Sequence, residues 1–315
     1  MNLPKFAYFK GRIVPYSEAK VGVLTHTLNY GTGAFGGIRG YWNSDAEELY
    51  VFRIRDHYRR FLDSARLLCM TVPDTVDGLA QVTLDLLRSE NHRTDCYIRP
   101  LAYFADETIG VRLHNLHPEI SIVSFPYGPY VPNEEDLHAS ISSWMRVDDN
   151  VIPPRGKIVG SYVNSALAKT DAHRAGYDEA IVLNHNGHVS EGSAENLFMI
   201  RNGVAITSTI TDNILEGITR RTMAQLLRAE LGVEVVERVI DRSELYLAEE
   251  AFFCGTGVQM AAITQIDHRP VGTGKIGPIT AQLRRLYFDV VRGRVPKYID
   301  WCTPVYQTKP VAAMA

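Results

Sequence analysis

The sequence predicts an α/β chain of two domains. Its 315 residues, 45% hydrophobic and 22% charged, are enough for two cores and are ordinary for a globular protein. Short alternating or β-branched runs are interleaved with longer stretches of helical period. Regular structure breaks at Tyr127-Gly128-Pro129-Tyr130-Val131-Pro132, which reads as an interdomain connection. The boundaries follow: a small N-terminal α/β domain over 1–126, a connection over 127–136, and a larger domain over 137–315.

In the first domain, residues 6–14 read as two short strands around Lys10-Gly11. The stretch from Thr25 to Arg39 holds four glycines, which let backbone approach backbone or ligand closely. Its glycine spacing is not that of a dinucleotide loop, and no acidic residue follows suitably. Tyr30, Phe35 and Arg39 offer two aromatic faces and a cation, a pocket wall; a glycine-rich turn inside a sheet fits the spacing equally. Residues 49–53 alternate as a strand. Asp56 is placed to cap a helix over 57–70, whose apolar positions Phe61, Ala65 and Leu68 keep a helical period. A second helix spans 76–90. Strands follow at 96–101, with Tyr97 and Arg99 on one face, and at 119–126.

In the second domain, residues 139–147 read as a strand, and Pro153-Pro154-Arg155-Gly156 delivers Lys157. A helix over 161–174 and a strand over 179–183 lead to Asn186-Gly187, a strong hairpin signal. Ser190-Glu191-Gly192-Ser193-Ala194-Glu195-Asn196 then sets two carboxylates and an amide among small residues. Asn202-Gly203 joins two further strands. Gly217 precedes a helix that runs to Leu231 and is closed by Gly232. That helix start, with Thr219, exposes backbone N–H groups and a hydroxyl to an anion. Cys254-Gly255-Thr256-Gly257 offers the same at the end of an apolar strand over 251–254. A last helix spans 278–292, Gly293 stops it, and 311–315 read as a frayed tail.

Composition excludes several classes. The net charge of -3 gives no basic patch for nucleic acid. No apolar run is long enough for a transmembrane helix, and Lys5, Lys10, Arg12 and Glu18 interrupt any signal-peptide core. The four cysteines lack a CxxC spacing, which favours reduced thiols in a cytoplasmic protein. The ten histidines form no HExxH or HxxxH, so no metal site is expected.

One amine, one carboxylate, two anion-holding turns and aromatic walls are the set that pyridoxal phosphate needs. Its aldehyde is held by a lysine as a Schiff base, its ring nitrogen by an acid, and its phosphate by N–H and hydroxyl donors. The motifs Tyr30-Gly-Thr-Gly-Ala-Phe35, Gly37-Ile38-Arg39, Tyr97-Ile98-Arg99-Pro100, Gly156-Lys157, Tyr162, Ser190-Glu191-Gly192, Glu195-Asn196-Leu197-Phe198, Gly217-Ile218-Thr219-Arg220 and Gly255-Thr256 span most of the chain. Together they resemble the branched-chain amino acid aminotransferases, fold-type-IV pyridoxal-phosphate enzymes.

The resemblance implies a small N-terminal domain and a larger one with a β-barrel-like core. It implies transamination of leucine, isoleucine and valine with 2-oxoglutarate by a ping-pong scheme, in a homodimer or larger assembly. Lys157 is then the catalytic residue and carries the cofactor. Glu191 pairs with the ring nitrogen and Tyr162 bonds the phenolic oxygen. Arg60, Gly217, Ile218, Thr219 and Thr256 hold the phosphate, with Leu215 on the ring. Tyr97, Thr256 and Gly257 receive the α-carboxylate, and Arg99 accepts the distal carboxylate of glutamate. Tyr30, Phe35, Tyr127 and Tyr130 line the side-chain pocket, with Arg39 beside them. Gly36 stands where the family carries glutamate, which removes a carboxylate near the pocket and bears on selectivity. D-amino acid or (R)-amine aminotransferases and aminodeoxychorismate lyase share the fold. A noncatalytic binder of a phosphorylated metabolite would keep the anion turns and have no use for Lys157.

Overall fold

A computed structural model describes residues 3–129, 131 and 133–307. They divide into two compact units, one of residues up to 128 with those from 288 onward, the other within 129–287. Tyr130, placed above in the side-chain pocket, and the tail at 311–315 lie outside the described residues.

The first unit begins with β1 (Phe6–Phe9), β2 (Arg12–Pro15), α1 (His26–Tyr30), β3 (Gly33–Phe35), β4 (Ile38–Asn43) and β5 (Glu48–Phe52). It continues with α2 (Ile54–Leu67), α3 (Val76–Glu90), β6 (Cys96–Phe104) and β7 (Pro118–Pro126). The second unit holds β8 (Leu137–Met145), α4 (Tyr162–Arg174), β9 (Glu179–Leu183), β10 (Val189–Gly192), β11 (Asn196–Arg201) and β12 (Val204–Thr207). After these come α5 (Ile218–Glu230), β13 (Val235–Glu237), β14 (Glu250–Gly255), β15 (Gln259–Ile266) and β16 (Arg269–Pro270). The chain closes with α6 (Pro278–Val291) and β17 (Cys302–Pro304).

The first sheet has eight strands in the order β17-β5-β4-β6-β7-β1-β2, with β3 also on β6. Pro100 lies inside β6, although a proline has no N–H for a central ladder. It falls where β6 changes partner: residues 96–98 pair with β4 and 101–103 with β3. The Pro100 carbonyl takes the Gly36 N–H at 2.8 Å across that gap. This explains why β6 runs past the expected end at 101. A Cβ at Gly36 would sit 2.6 Å from Pro100 Cγ, with Phe61 of α2 next nearest. A side chain there would head into that packing, so the glycine follows from the close approach of Pro100.

Helix α3 has its expected span, and the Thr75 hydroxyl caps it by accepting the Gly78 N–H at 3.1 Å. Helix α2 corrects its expected bounds. It starts three residues before position 57, and Asp56 is not its cap. Arg53 at φ 47° precedes the first turn, and the Asp56 carboxylate turns to Arg53 at 3.1 Å and to Arg59 at 2.9 Å. Cys69, at φ 58°, stands just beyond the helix end.

The C-terminal segment is a second correction. The sequence reading runs the second domain to 315, but β17 pairs antiparallel with β5 of the first sheet. Buried Glu48 supplies the reason. Its Oε1 accepts the N–H groups of Leu49, Val305 and Tyr306 at 2.8, 3.0 and 2.9 Å, and its Oε2 that of Gln307 at 2.7 Å. An acceptor-only carboxylate among four amide donors is satisfied without a cation.

The second sheet has nine strands in the order β10-β9-β8-β15-β14-β11-β12-β13, with β16 on β15. It is mixed: β8 runs parallel to both β9 and β15, and β12 runs parallel to β13. Its core gathers Leu137, Ile181, Val189, Leu197, Met199 and Phe253. The Asn202-Gly203 turn has both residues left-handed, at φ 52° and 71°, as a tight hairpin turn requires. At the 186–187 hairpin only Gly187 is left-handed, and the Asn184 side chain accepts the N–H groups of Asn186 and His188 to close a longer loop.

Candidate active site

The second unit brings Lys157 and Glu191 into one constellation by different routes. Lys157 follows a tight turn closed by the Gly156 N–H on the Pro153 carbonyl at 3.1 Å. Half-buried, it hydrogen-bonds the hydroxyl of Tyr162, the first residue of α4, and its Nζ lies 5.0 Å from the centre of that ring. A phenol beside an amine orients it and shares its proton.

Glu191, on β10, is 3% exposed. Its Oε1 pairs with Arg146 Nη2 at 2.7 Å. Its Oε2 accepts from Asn196 Nδ2 at 2.8 Å and from the Leu215 N–H at 3.2 Å. Burial pushes the Glu191 pKa up, and Arg146, the Leu215 N–H, Lys157 and Arg220 oppose that rise. Arg146 escaped the sequence reading. A buried carboxylate implies a cation, but nothing in the spacing of residues 146 and 191 says which.

The predicted anion turns are both present. Gly217 precedes α5, and no side chain caps that end. The first helical bond there is the Arg221 N–H to the Gly217 carbonyl at 3.0 Å, which leaves the N–H groups of Ile218 and Thr219 facing outward from the helix start. Thr219 is buried. Thr256 and Gly257 follow β14 in a turn that ends at β15. Leu215 sits in the strap between Glu191 and the helix.

Tyr30, Phe35, Arg39, Arg60, Tyr97, Arg99 and Tyr127 lie in the first unit. Arg99 extends outward, its Nη2 donating to the Tyr97 hydroxyl at 3.2 Å and its guanidinium 4.5 Å from the Phe35 ring centre. Tyr97 and Tyr127 stand 5.3 Å apart. Arg39 is almost fully buried: it donates to the Gly128 carbonyl at 2.7 Å and lies 5.1 Å from the Tyr127 ring centre, so it braces the wall from behind. Tyr30 belongs to a different contact set, accepting the Gly110 N–H at 3.0 Å beside the His26 ring. Arg60 is carried by α2. A Cβ at Gly37 would fall 2.2 Å from the Tyr97 hydroxyl, so that glycine makes room for the phenol.

The family profile of class IV aminotransferases matches residues 33–266, which include both anion turns, Lys157 and Glu191. The chain belongs to the class IV aminotransferases. The probable branched-chain-amino-acid aminotransferase of Aquifex aeolicus is 49% identical over 96% of this chain and 97% of its own. The crystal structure of the branched-chain aminotransferase of Thermobaculum terrenum in its PLP form matches with a TM-score of 0.93 and 43% identity, over 98% of this chain and 100% of that one. The Thermoproteus uzoniensis enzyme with norvaline gives 0.92 and 42%, over 96% and 100%. The resemblance read from the motifs, and the mixed α/β fold it implied, are borne out. These relatives carry the name of the main reading and not of the D-amino acid, (R)-amine or lyase alternatives.

A second buried carboxylate in this aminotransferase, Glu195, has its own environment. Burial and the nearby Glu179 carboxylate push its pKa up to about 8, against the pull of Lys169 and the Ala194 N–H. The fold thus favours the protonated acid. That contribution to stability is full below the ordinary carboxylate range and is lost as pH rises through about 8. Glu195→Gln, which fixes the neutral form, is expected to raise the melting temperature of the apoprotein over wild type at about pH 9 and to leave it unchanged at about pH 5. An equal difference at both values would mean that Glu195 is ionised throughout.

Proposed function

We propose that this class IV aminotransferase moves the amino group of leucine, isoleucine and valine to 2-oxoglutarate with pyridoxal phosphate as cofactor. The observation that carries the reading is the constellation of Lys157, Glu191 and the uncapped start of α5 within one unit. The donor set fits the cofactor. A buried carboxylate made more basic by desolvation is a good acceptor for a ring N–H. An amine on a phenol suits an aldehyde, and a helix start with a buried threonine suits a phosphate.

Pyridoxal phosphate, when bound, supplies the electron sink that lets an amino acid α C–H bond break. The protein does the rest. Lys157 would hold the cofactor, and its Nζ, once freed by the incoming substrate amine, would take the proton from the substrate α-carbon and later return one. Tyr162 holds that amine in line. Glu191 keeps a proton on the ring nitrogen. Ile218, Thr219, Thr256 and Arg60 hold the phosphate. Tyr97 and the Thr256–Gly257 turn orient the α-carboxylate. Phe35, Tyr127 and Tyr130 exclude water from an apolar side chain.

Arg99 is the cation available to a second carboxylate: the residue is exposed, and its guanidinium lies 4.5 and 5.2 Å from the ring centres of Phe35 and Tyr97. Arg99→Ala is expected to cut kcat/KM for glutamate by about a hundredfold and for leucine only a fewfold, the difference being one lost charge-assisted bond. Equal losses would remove the distal-carboxylate role. The reading as a whole is tested by initial rates across L-amino acids, D-amino acids and (R)-amines, with chiral analysis of the product from 4-methyl-2-oxopentanoate and L-glutamate. D-leucine as that product would overturn it.

The working assembly is a homodimer or a larger homo-oligomer. Val21, Val23, Leu24, Leu28, Ile109 and Val111 are exposed apolar side chains on two segments of the first unit. Those segments are pinned together by the His26 N–H on the Asp106 carbonyl at 2.8 Å and by His26 Nε2 with the Gly110 carbonyl at 2.9 Å. Apolar groups massed on one face suit a second copy of the chain. Among the described residues no helix is long and apolar enough to cross a membrane. Four unbridged cysteines accord with a cytoplasmic enzyme.

A further inference from the structure

Asn196 is 5% exposed and opens β11. Its Nδ2 donates to Glu191 Oε2 at 2.8 Å and to the Leu215 carbonyl at 2.9 Å. Both partners are acceptors, so the amide nitrogen must face them and the amide oxygen must point away. That oxygen comes to rest on Gly217. A Cβ built at position 217 would lie 2.0 Å from Asn196 Oδ1. Gly217 has φ -68° and ψ 132°, which any residue adopts. Glycine is therefore required there by the amide and not by the backbone.

One side chain thus touches the buried carboxylate, the strap that follows residue 213, and the last residue before α5. Other tethers hold different points of that strap. Arg146 Nε donates to the Asn213 carbonyl at 3.1 Å, and Arg155 meets Glu216 at 3.3 Å. Neither reaches the helix start.

We propose that Asn196 is a positioning residue that sets the spacing between Glu191 and the N-terminus of α5. A ligand with a cationic ring nitrogen at one end and a phosphate at the other is then gripped at both ends at once. The inference rests on the cofactor reading above. It predicts that losing Asn196 harms the two-ended ligand while sparing a ligand that uses the phosphate end alone.

The test titrates apoprotein separately with pyridoxal phosphate and with inorganic phosphate. Asn196→Ala is expected to weaken pyridoxal phosphate binding by about tenfold or more, the usual cost of a lost bond to a charged group, and to change phosphate binding less than about twofold. Gly217→Ala, whose methyl would evict the amide, is expected to weaken pyridoxal phosphate binding to a similar degree. The double variant should be no worse than Asn196→Ala, because both changes break one device. Should Asn196→Ala fail to fold, the similarly sized Asn196→Leu, which has no donor, is held to the same criteria. Unchanged pyridoxal phosphate binding, equal losses for both ligands, or losses that multiply in the double variant would overturn the proposal. Wild-type protein that takes up no pyridoxal phosphate would bring down the cofactor reading, and this inference with it.

Discussion

Lys157→Ala is expected to lose transaminase activity by about 10⁴-fold or more, because one amine both attaches the cofactor and carries the proton. The protein should still fold, because Lys157 is only half-buried. The loss should fall on kcat. Borohydride treatment followed by peptide mapping is expected to place a stable pyridoxyl adduct on Lys157 in wild type and on no residue of the variant. A small primary amine in the buffer should restore part of the proton transfer, since the missing group is an amine on a flexible stem. A variant that remains active and still acquires the adduct elsewhere would show that another lysine does the chemistry.

Much of this site was legible because its parts are local. Gly217-Ile218-Thr219 announces a helix start with outward N–H groups, and α5 begins there. Tyr97 and Arg99 share a face by strand period alone, and the structure joins them. The α3 boundaries follow from Thr75 and the apolar period that it opens. These features rest on residues within a few positions of one another, where backbone geometry leaves few choices.

Where the structure departs from the sequence-based expectation, the cause is a partner far along the chain. Helix α2 starts early, after a left-handed Arg53 whose N–H donates to the Trp301 carbonyl at 2.6 Å and whose guanidinium lies 4.2 Å from the Trp301 ring centre. The strand expected over 96–101 runs on to 104, because a second neighbour, β3, takes over from β4 beyond Pro100. Strand β17 joins a sheet laid down about two hundred and fifty residues earlier, through a glutamate that reads as an ordinary surface carboxylate. Arg146 belongs to the same class, whereas Asn196 stands only five residues from Glu191 yet bonds it through a side chain that no local period places. Each was visible as a residue, and neither could be tied to Glu191 without the fold.

The Arg146–Glu191 pair carries the largest expected effect on stability, and its two halves should not be equivalent. The side chains are 10% and 4% exposed, so removing either partner strands the other. Glu191→Gln leaves a buried guanidinium that has no accessible neutral form, at an expected cost of about 3–5 kcal/mol. Arg146→Met leaves a carboxyl group whose pKa burial already raises, and it can escape by taking up a proton. At about pH 6 Arg146→Met should therefore be the milder change, and the gap should narrow towards about pH 9 as that proton becomes harder to supply. The double variant should recover part of either single loss, because no buried charge is left alone. Activity should separate differently. Glu191→Gln removes the acceptor for the ring N–H directly. Arg146→Met leaves a neutral acid that cannot accept that proton until the pH is raised, so its rate should climb with pH more steeply than that of wild type. Urea unfolding of the apoproteins at the two pH values, with pH–rate profiles of the loaded enzymes, measures both. Equal destabilisation by the two substitutions at both pH values would mean that Glu191 stays charged without its arginine, and that Arg146 is not what keeps it so.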